Sequence, residues 1–179
     1  AWLASMRKDI FEKIIETDPD VLLRMDVPTD DHIRLSIVAG LLTQCEEEKK
    51  SFQQLIDYYH SYEKLKHPQL TNQLRPYIWD TTKQIDVDVR ELAIYIAEAC
   101  QVSELQEDLV NLALDSSQSV DLRASAANAL ATIGSIETRR KLKPLAVKQL
   151  PEDKNDQLKG YALKALWPNI LSAQELFET

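Results

Sequence analysis

Side chains with the widest chemical repertoire are few in this sequence, and they stand far apart. His32, His60 and His67 are the three imidazoles on which a metal or a general base would rely. None forms a His-x-x-x-His pair, and neither His60 nor His67 has the adjacent glutamate that completes a His-Glu ligand pair. They are expected at the surface or at helix ends. Cys45 and Cys100 share no metal-type spacing and lie inside apolar helical patterns, which predicts buried free thiols in a reducing cytosol. A phosphate loop needs several glycines whose N–H groups converge on the anion. Gly40, Gly134 and Gly160 are isolated from one another, and Gly134 reads as a C-terminal helix cap. No Gly-x-Ser-x-Gly elbow occurs. These spacings predict no catalytic residue, no metal and no cofactor.

Binding chemistry has more to draw on. Arg139-Arg140-Lys141-Leu142-Lys143 is a short basic cluster, which reads as a solvated helix face. Tyr58, Tyr59, Tyr62, Tyr77 and Trp79 form the densest aromatic group; adjacent Tyr58 and Tyr59 cannot face the same way on a helix, so one is expected in the core and the other more exposed. Net charge is −8, with −3 over residues 1–85 and −5 over residues 86–179, so neither half offers the cationic surface that draws nucleic acid. No run of about eighteen apolar residues suits a bilayer. Ala1 to Met6 is too short, with no long apolar stretch after it, to be a signal peptide. A cytoplasmic location follows as the expectation.

The elements that position these residues are helices. With 44% apolar and 28% charged residues the chain is expected to fold, and 3 Gly against 7 Pro suit short, stiff helix connections. Apolar residues recur at three- and four-residue intervals, as in Ile10, Phe11, Ile14 and Ile15. Asp18-Pro19 reads as an N-cap followed by a first-turn proline, and Val27-Pro28-Thr29 as a break. Helices are expected over 30–44, 51–66, 69–79, 87–101, 103–115, 120–134, 136–149 and 156–167, with the first turns of another from Ser172 to Thr179. No strand is expected.

The second half repeats. Val87-Asp88-Val89-Arg90 recurs as Val120-Asp121-Leu122-Arg123, 33 residues on, with Ala93 matching Ala126. A weaker copy puts Lys159 at the arginine position and Ala162 at the alanine, and Arg34 opens a degenerate one. Such periods in helical chains mean stacked helix pairs, which need small residues where backbones approach: Ala93, Ala97, Ala126, Ala129 and Ala162. The aspartate at each helix start is expected to cap N–H groups. Arg90 and Arg123 are expected to cross between repeats onto a carboxylate or a helix-end carbonyl.

This aspartate–apolar–arginine signature with its following alanine resembles the second helix of HEAT repeats. The resemblance implies an all-α fold, an α-α superhelix, as a single helical-repeat domain over 1–179: irregular repeats over 1–85 and HEAT-like repeats over 86–179. Asp18-Pro19-Asp20-Val21-Leu22-Leu23 with Asp26-Val27, and Ala165-Leu166-Trp167-Pro168 with Leu171-Ser172 and Glu175-Leu176-Phe177, resemble helical regions that follow the NACHT domain of bacterial signal-transduction NTPases. That resemblance implies a fragment of a larger protein, the sensor or scaffold arm of a STAND-type ATPase, without the nucleotide-binding motifs themselves.

The expected function is therefore a non-catalytic protein-interaction or sensing module. Its partners are a protein or peptide ligand and other domains of the parent chain, with no nucleic acid and no membrane. Exposed polar positions on the second helices, Glu91, Tyr95, Glu98, Asn128 and Lys164, are the expected contacts. Self-association is expected through an apolar C-terminal end at Leu171, Leu176 and Phe177. The alternatives are a HEAT-like enzyme of the DNA glycosylase or bilin lyase type, against which the acidity argues, and a structural spacer between domains. Purified chain is expected to give no heat of ATP binding by calorimetry; a micromolar dissociation constant would contradict the reading.

Overall fold

The helix starts at Asp31, Phe52, Val87, Val120 and Ile136 carry side chains that satisfy free N–H groups of the first turn. The computed structural model describes residues 8–24, 30–79, 85–172 and 174–175, and every regular element among these is helical. α1 (Lys8–Thr17) and α2 (Pro19–Leu23) precede α3 (Asp31–Glu46), whose cap Asp30 accepts from His32 N and Ile33 N. α4 (Phe52–Ile56) begins with a reciprocal capping box between Ser51 and Gln54. A 3₁₀ segment (Tyr59–Leu65) leads to α5 (Leu70–Trp79), α6 (Val87–Ala99), α7 (Gln106–Leu114) and α8 (Val120–Ile133). α9 (Ile136–Arg140), α10 (Lys143–Val147) and α11 (Gln157–Leu166) follow. Among the described residues no helix is long and apolar enough to cross a membrane. The expected break at Val27-Pro28-Thr29, with Asp26, lies outside them.

Two expected helices are broken, each for a local reason. Over 51–66, the Leu55 carbonyl that would continue an α-helix instead accepts from Tyr58 N at 3.1 Å and from the buried Tyr62 hydroxyl at 2.6 Å, and the chain tightens to 3₁₀. Over 136–149, Pro144 has no N–H to return to the Arg140 carbonyl, so α9 stops and α10 restarts with the proline in its first turn. Asp18 stands at the N-cap of α2 but makes no capping bond, its carboxylate lying 3.3 Å from Lys50 Nζ. Asp86 and Ser119 cap α6 and α8, while Asp88 and Asp121 sit exposed in the first turns. Gly134 ends α8 with φ −75°, so room rather than handedness requires it: a Cβ there would lie 2.6 Å from the Leu130 carbonyl oxygen.

α6, α8 and α11 pack side by side in chain order, and α5, α7 and α10 pack on α6, α8 and α11 respectively. Ala93, Ala97, Ala126, Ala129 and Ala162 are all fully buried, which lets these helices approach. The buried side chains from Phe11 to Leu171 form one connected core. Leu171 is only 1% exposed, which corrects its place in an exposed C-terminal patch; Leu176 and Phe177 lie outside the described residues. The helix start expected at Ser172 carries its capping box, Ser172 N donating to Glu175 Oε2 at 3.0 Å and Glu175 N to Ser172 Oγ at 3.2 Å.

Both signature arginines close the gap between one helix pair and the next. Arg90 donates to the Tyr77 and Ile78 carbonyls at the end of α5, each at 3.0 Å, and to Gln118 Oε1 at 2.6 Å in the loop before α8. Arg123 donates to the Ala113 carbonyl at the end of α7 (3.1 Å) and to Glu152 Oε1 before α11 (3.0 Å). The carboxylate partner is thus a loop glutamate, not the signature aspartate. Lys159 does not repeat the device; buried Asp153 instead accepts from Gln157 N and Lys159 N, capping α11. Arg34 reaches the Lys66 carbonyl at 3.0 Å. Arg123→Ala removes a 2%-exposed guanidinium and leaves a helix-end carbonyl without its donor, a loss of about 1–3 kcal/mol. Arg140→Ala, at an exposed site, should stay within about 0.5 kcal/mol. Urea midpoints of the two variants check the difference.

Candidate functional site

Positions 91, 95 and 98 lie on one side of α6, and 125, 128 and 132 on one side of α8, because each set follows the three-and-four spacing of a helix face. Packed side by side, the two faces exchange hydrogen bonds. Ser125 Oγ donates to Glu91 Oε1 at 2.8 Å, and Thr132 Oγ1 donates to Glu98 Oε1 at 2.8 Å. Asn128 Nδ2 donates to Glu98 Oε2 at 3.4 Å, while its Oδ1 accepts from Lys164 Nζ of α11 at 2.9 Å. The polar row therefore runs unbroken across three helices. At its N-terminal edge the Phe52 and Tyr59 rings meet Tyr95 edge-on with centroids 5.2 and 5.9 Å away.

All five residues expected to contact a partner fall in this row, but their exposure is corrected. Glu98 is only 5% exposed, Glu91, Tyr95 and Asn128 are half-buried, and Lys164 alone is exposed. The carboxylates are held between helices, so hydroxyl and amide donors have replaced part of their water. Burial nevertheless pushes Glu91 above the usual glutamate range, with Asp121 and Asp88 adding repulsion and Ser125 opposing it. Burial, then Glu98, pushes Tyr59 up to about 12. Tyr95 is likewise raised, first by burial and then by Glu91, Tyr161 and Glu98. Sequence reasoning missed Ser125, Thr132 and Tyr161, and named Tyr59 without placing it on this row. Adding the 33-residue repeat interval to Glu91 and Glu98 lands on Ala124 and Ala131, each one residue short of the hydroxyls at Ser125 and Thr132.

The remaining sequence features are dispersed. His32 and His60 are exposed, whereas His67 is buried, at a helix end between the 3₁₀ segment and α5, with Nδ1 2.8 Å from the Leu65 carbonyl oxygen; of the two expected settings it takes the helix end and not the surface. It lines a cleft of about 440 Å³ with Arg34, Lys66, Thr71 and Glu104. Cys45 and Cys100 are buried free thiols, pushed by burial up to about 11 and about 12. In the basic cluster Arg140, Lys141 and Lys143 are exposed, but Arg139 is half-buried. Tyr62 rather than Tyr58 or Tyr59 is the core tyrosine; both of the latter are half-buried, and Tyr58 receives the Arg24 guanidinium. Among the described residues no group of three or more histidine, cysteine or acidic side chains is arranged to hold a metal. No protein-family model, curated protein or solved structure matches the chain.

Glu91 yields a pH test. Its folded pKa lies above the unfolded value, so the native state binds the extra proton, and stability falls as pH rises from the ordinary glutamate range through the folded pKa. Glu91→Gln keeps an acceptor for Ser125 and removes the buried charge. It should raise the urea midpoint at neutral pH and leave it nearly unchanged at acidic pH, where the wild-type carboxyl is protonated in both states. A loss at neutral pH would show the charge to be stabilising.

Proposed function

We propose that the chain is a HEAT-like stack of helix pairs, an α-α superhelix, serving as a non-catalytic protein-interaction or sensing arm of a NACHT-type signalling protein. The observation that carries the reading is the similar spacing, within each row, at which neighbouring pairs are tied. On the helix row, Glu91 meets Ser125 and Glu98 meets Thr132, both 34 residues apart. At the loop edge, Arg90 meets Gln118 and Arg123 meets Glu152, 28 and 29 residues apart. Behind them Arg75 meets Asp108 at 2.9 Å and Lys141 meets Glu107 at 2.7 Å, 33 and 34 residues apart. The loop-edge and outer ties recur at successive junctions with nearly the same spacing, whereas the helix row joins α6 to α8 at 34 residues and α8 to α11 at 36; contact between neighbouring units is how repeat stacks are built.

Such a stack spreads a broad face of neighbouring helices, which suits an extended polypeptide better than a small substrate. The grouped polar side chains are bonded to one another, as in a recognition surface held in shape. Attachment to a nucleotide-binding domain rests on the resemblance of the 18–27 and 165–177 segments, and a phosphate-binding loop encoded upstream would support it. The interaction reading is tested by placing a photoreactive side chain at Tyr161, on the polar row, or at exposed Glu137, on α9. Adducts with other proteins should concentrate at the first position. Equal yields from both would overturn the assignment of the face.

A further inference from the structure

The polar row is lopsided in charge. Among the described residues, Asp88, Glu91 and Glu98 of α6 and Asp121 of α8 bring four carboxylates to it, against the single ammonium of Lys164, which is engaged by Asn128. The groups that perturb Glu91 after burial are Ser125, Asp121 and Asp88: one hydroxyl and two like charges, with no cation among them. Aromatic rings accompany the acids. Tyr95 of α6 and Tyr161 of α11 are both half-buried, and Tyr161 stands three residues, about one turn, before Lys164, on the row's side of α11. Half-buried rings beside unneutralised carboxylates present both of the attractions a side-chain cation responds to, the charge and the π face.

We infer that this face docks a basic polypeptide segment, whose lysine or arginine side chains seat among Glu91, Asp121, Tyr95 and Tyr161. The inference rests on the interaction-arm reading and adds the chemistry of the partner. Charge complementarity selects the occupant: an acidic segment would bring like charges onto carboxylates already repelling one another, whereas a cation relieves that repulsion. The geometry favours a polypeptide because the acids and rings are spread over three adjacent helices, so several cations are needed to use them, and a chain carries them together.

The test titrates the full chain with a short oligolysine peptide and, separately, an oligoglutamate peptide, read by backbone amide shifts in NMR. Oligolysine should bind saturably, shift the amides of Glu91, Tyr95, Asp121, Ser125 and Tyr161, and weaken as salt is raised; oligoglutamate should do none of this. Glu91→Gln with Asp121→Asn should weaken oligolysine binding about tenfold, whereas Glu104→Gln with Glu137→Gln, removing the same charge elsewhere, should change it less than about twofold. Tyr161→Leu should weaken binding and Tyr161→Phe preserve it, which keeps the test open if the double variant fails to fold. Absence of saturable binding, or equal losses from both charge pairs, would overturn the inference. Specific adducts at position 161 without oligolysine binding would leave the interaction reading standing and remove only the basic partner.

Discussion

A guanidinium withdrawn from water is the interaction on which the rest of the arrangement depends. An arginine does not give up its proton, so burial at Arg123 is tolerable only where acceptors are already fixed. The ends of α-helices supply them, because final carbonyls have no intrahelical partner and carry the negative end of the helix dipole. Arg90 takes two such carbonyls from α5, and Arg123 takes one from α7. Each then spends a remaining N–H on the loop ahead, at Gln118 or Glu152. One side chain thereby joins the end of a first helix, the start of a second and the loop inside the next pair.

The loops are shaped to meet it. Asp115 accepts from Ser117 N at 2.9 Å and Ser117 Oγ at 2.7 Å, and from Gln118 Nε2 at 3.2 Å, so the amide that receives Arg90 is itself held. Those bonds, the Ser117 hydroxyl foremost, keep the Asp115 carboxyl below its usual range. In the following loop Glu152 reaches back to Arg123 while Asp153 reaches forward to cap α11. With the pairs fixed at this edge, α6, α8 and α11 meet at the register that aligns Glu91 with Ser125 and Glu98 with Thr132. A shift by one residue would rotate those acceptors away from their hydroxyls.

The helical content was legible because its signals are local: the apolar spacing, the helix starts near Asp30 and Ser51, and the arginine signature whose direction of reach follows from its first-turn position. Illegible parts depend on a competing donor or acceptor brought from elsewhere. Nothing in the periodicity of 51–66 announces that the Tyr62 hydroxyl will take the Leu55 carbonyl and tighten the helix. Nor does the Asp18-Pro19 pattern disclose Lys50, 32 residues on, as the partner that draws the cap away. Pro144 is different, since its missing N–H was present in the sequence to be read. The five residues expected to contact a partner lie on one polar row, where the three-and-four helix spacing puts them. Lys164 is exposed as expected, but the exposure of the other four was misjudged because polar residues on a second helix were assigned to solvent, when the neighbouring pair partly covers them.

That half-burial bears on why the row is polar at all. Apolar side chains at Glu91, Glu98, Ser125 and Thr132 would pack helices together with less desolvation, and would also allow neighbouring helices to slide or rotate at little cost. Hydrogen bonds of defined length penalise each such movement, because a displaced hydroxyl leaves a half-buried carboxylate without a donor. The polar row thus exchanges some stability for a fixed surface, and the clustered negative charge adds to what is given up. A face held this rigidly loses little conformational freedom when something binds to it, which lowers the entropic cost of recognition. The proposed docking of a basic segment is consistent with that exchange: the repulsion among Asp88, Glu91 and Asp121 is an unfavourable term in the isolated chain, and a bound cation turns it into a source of affinity.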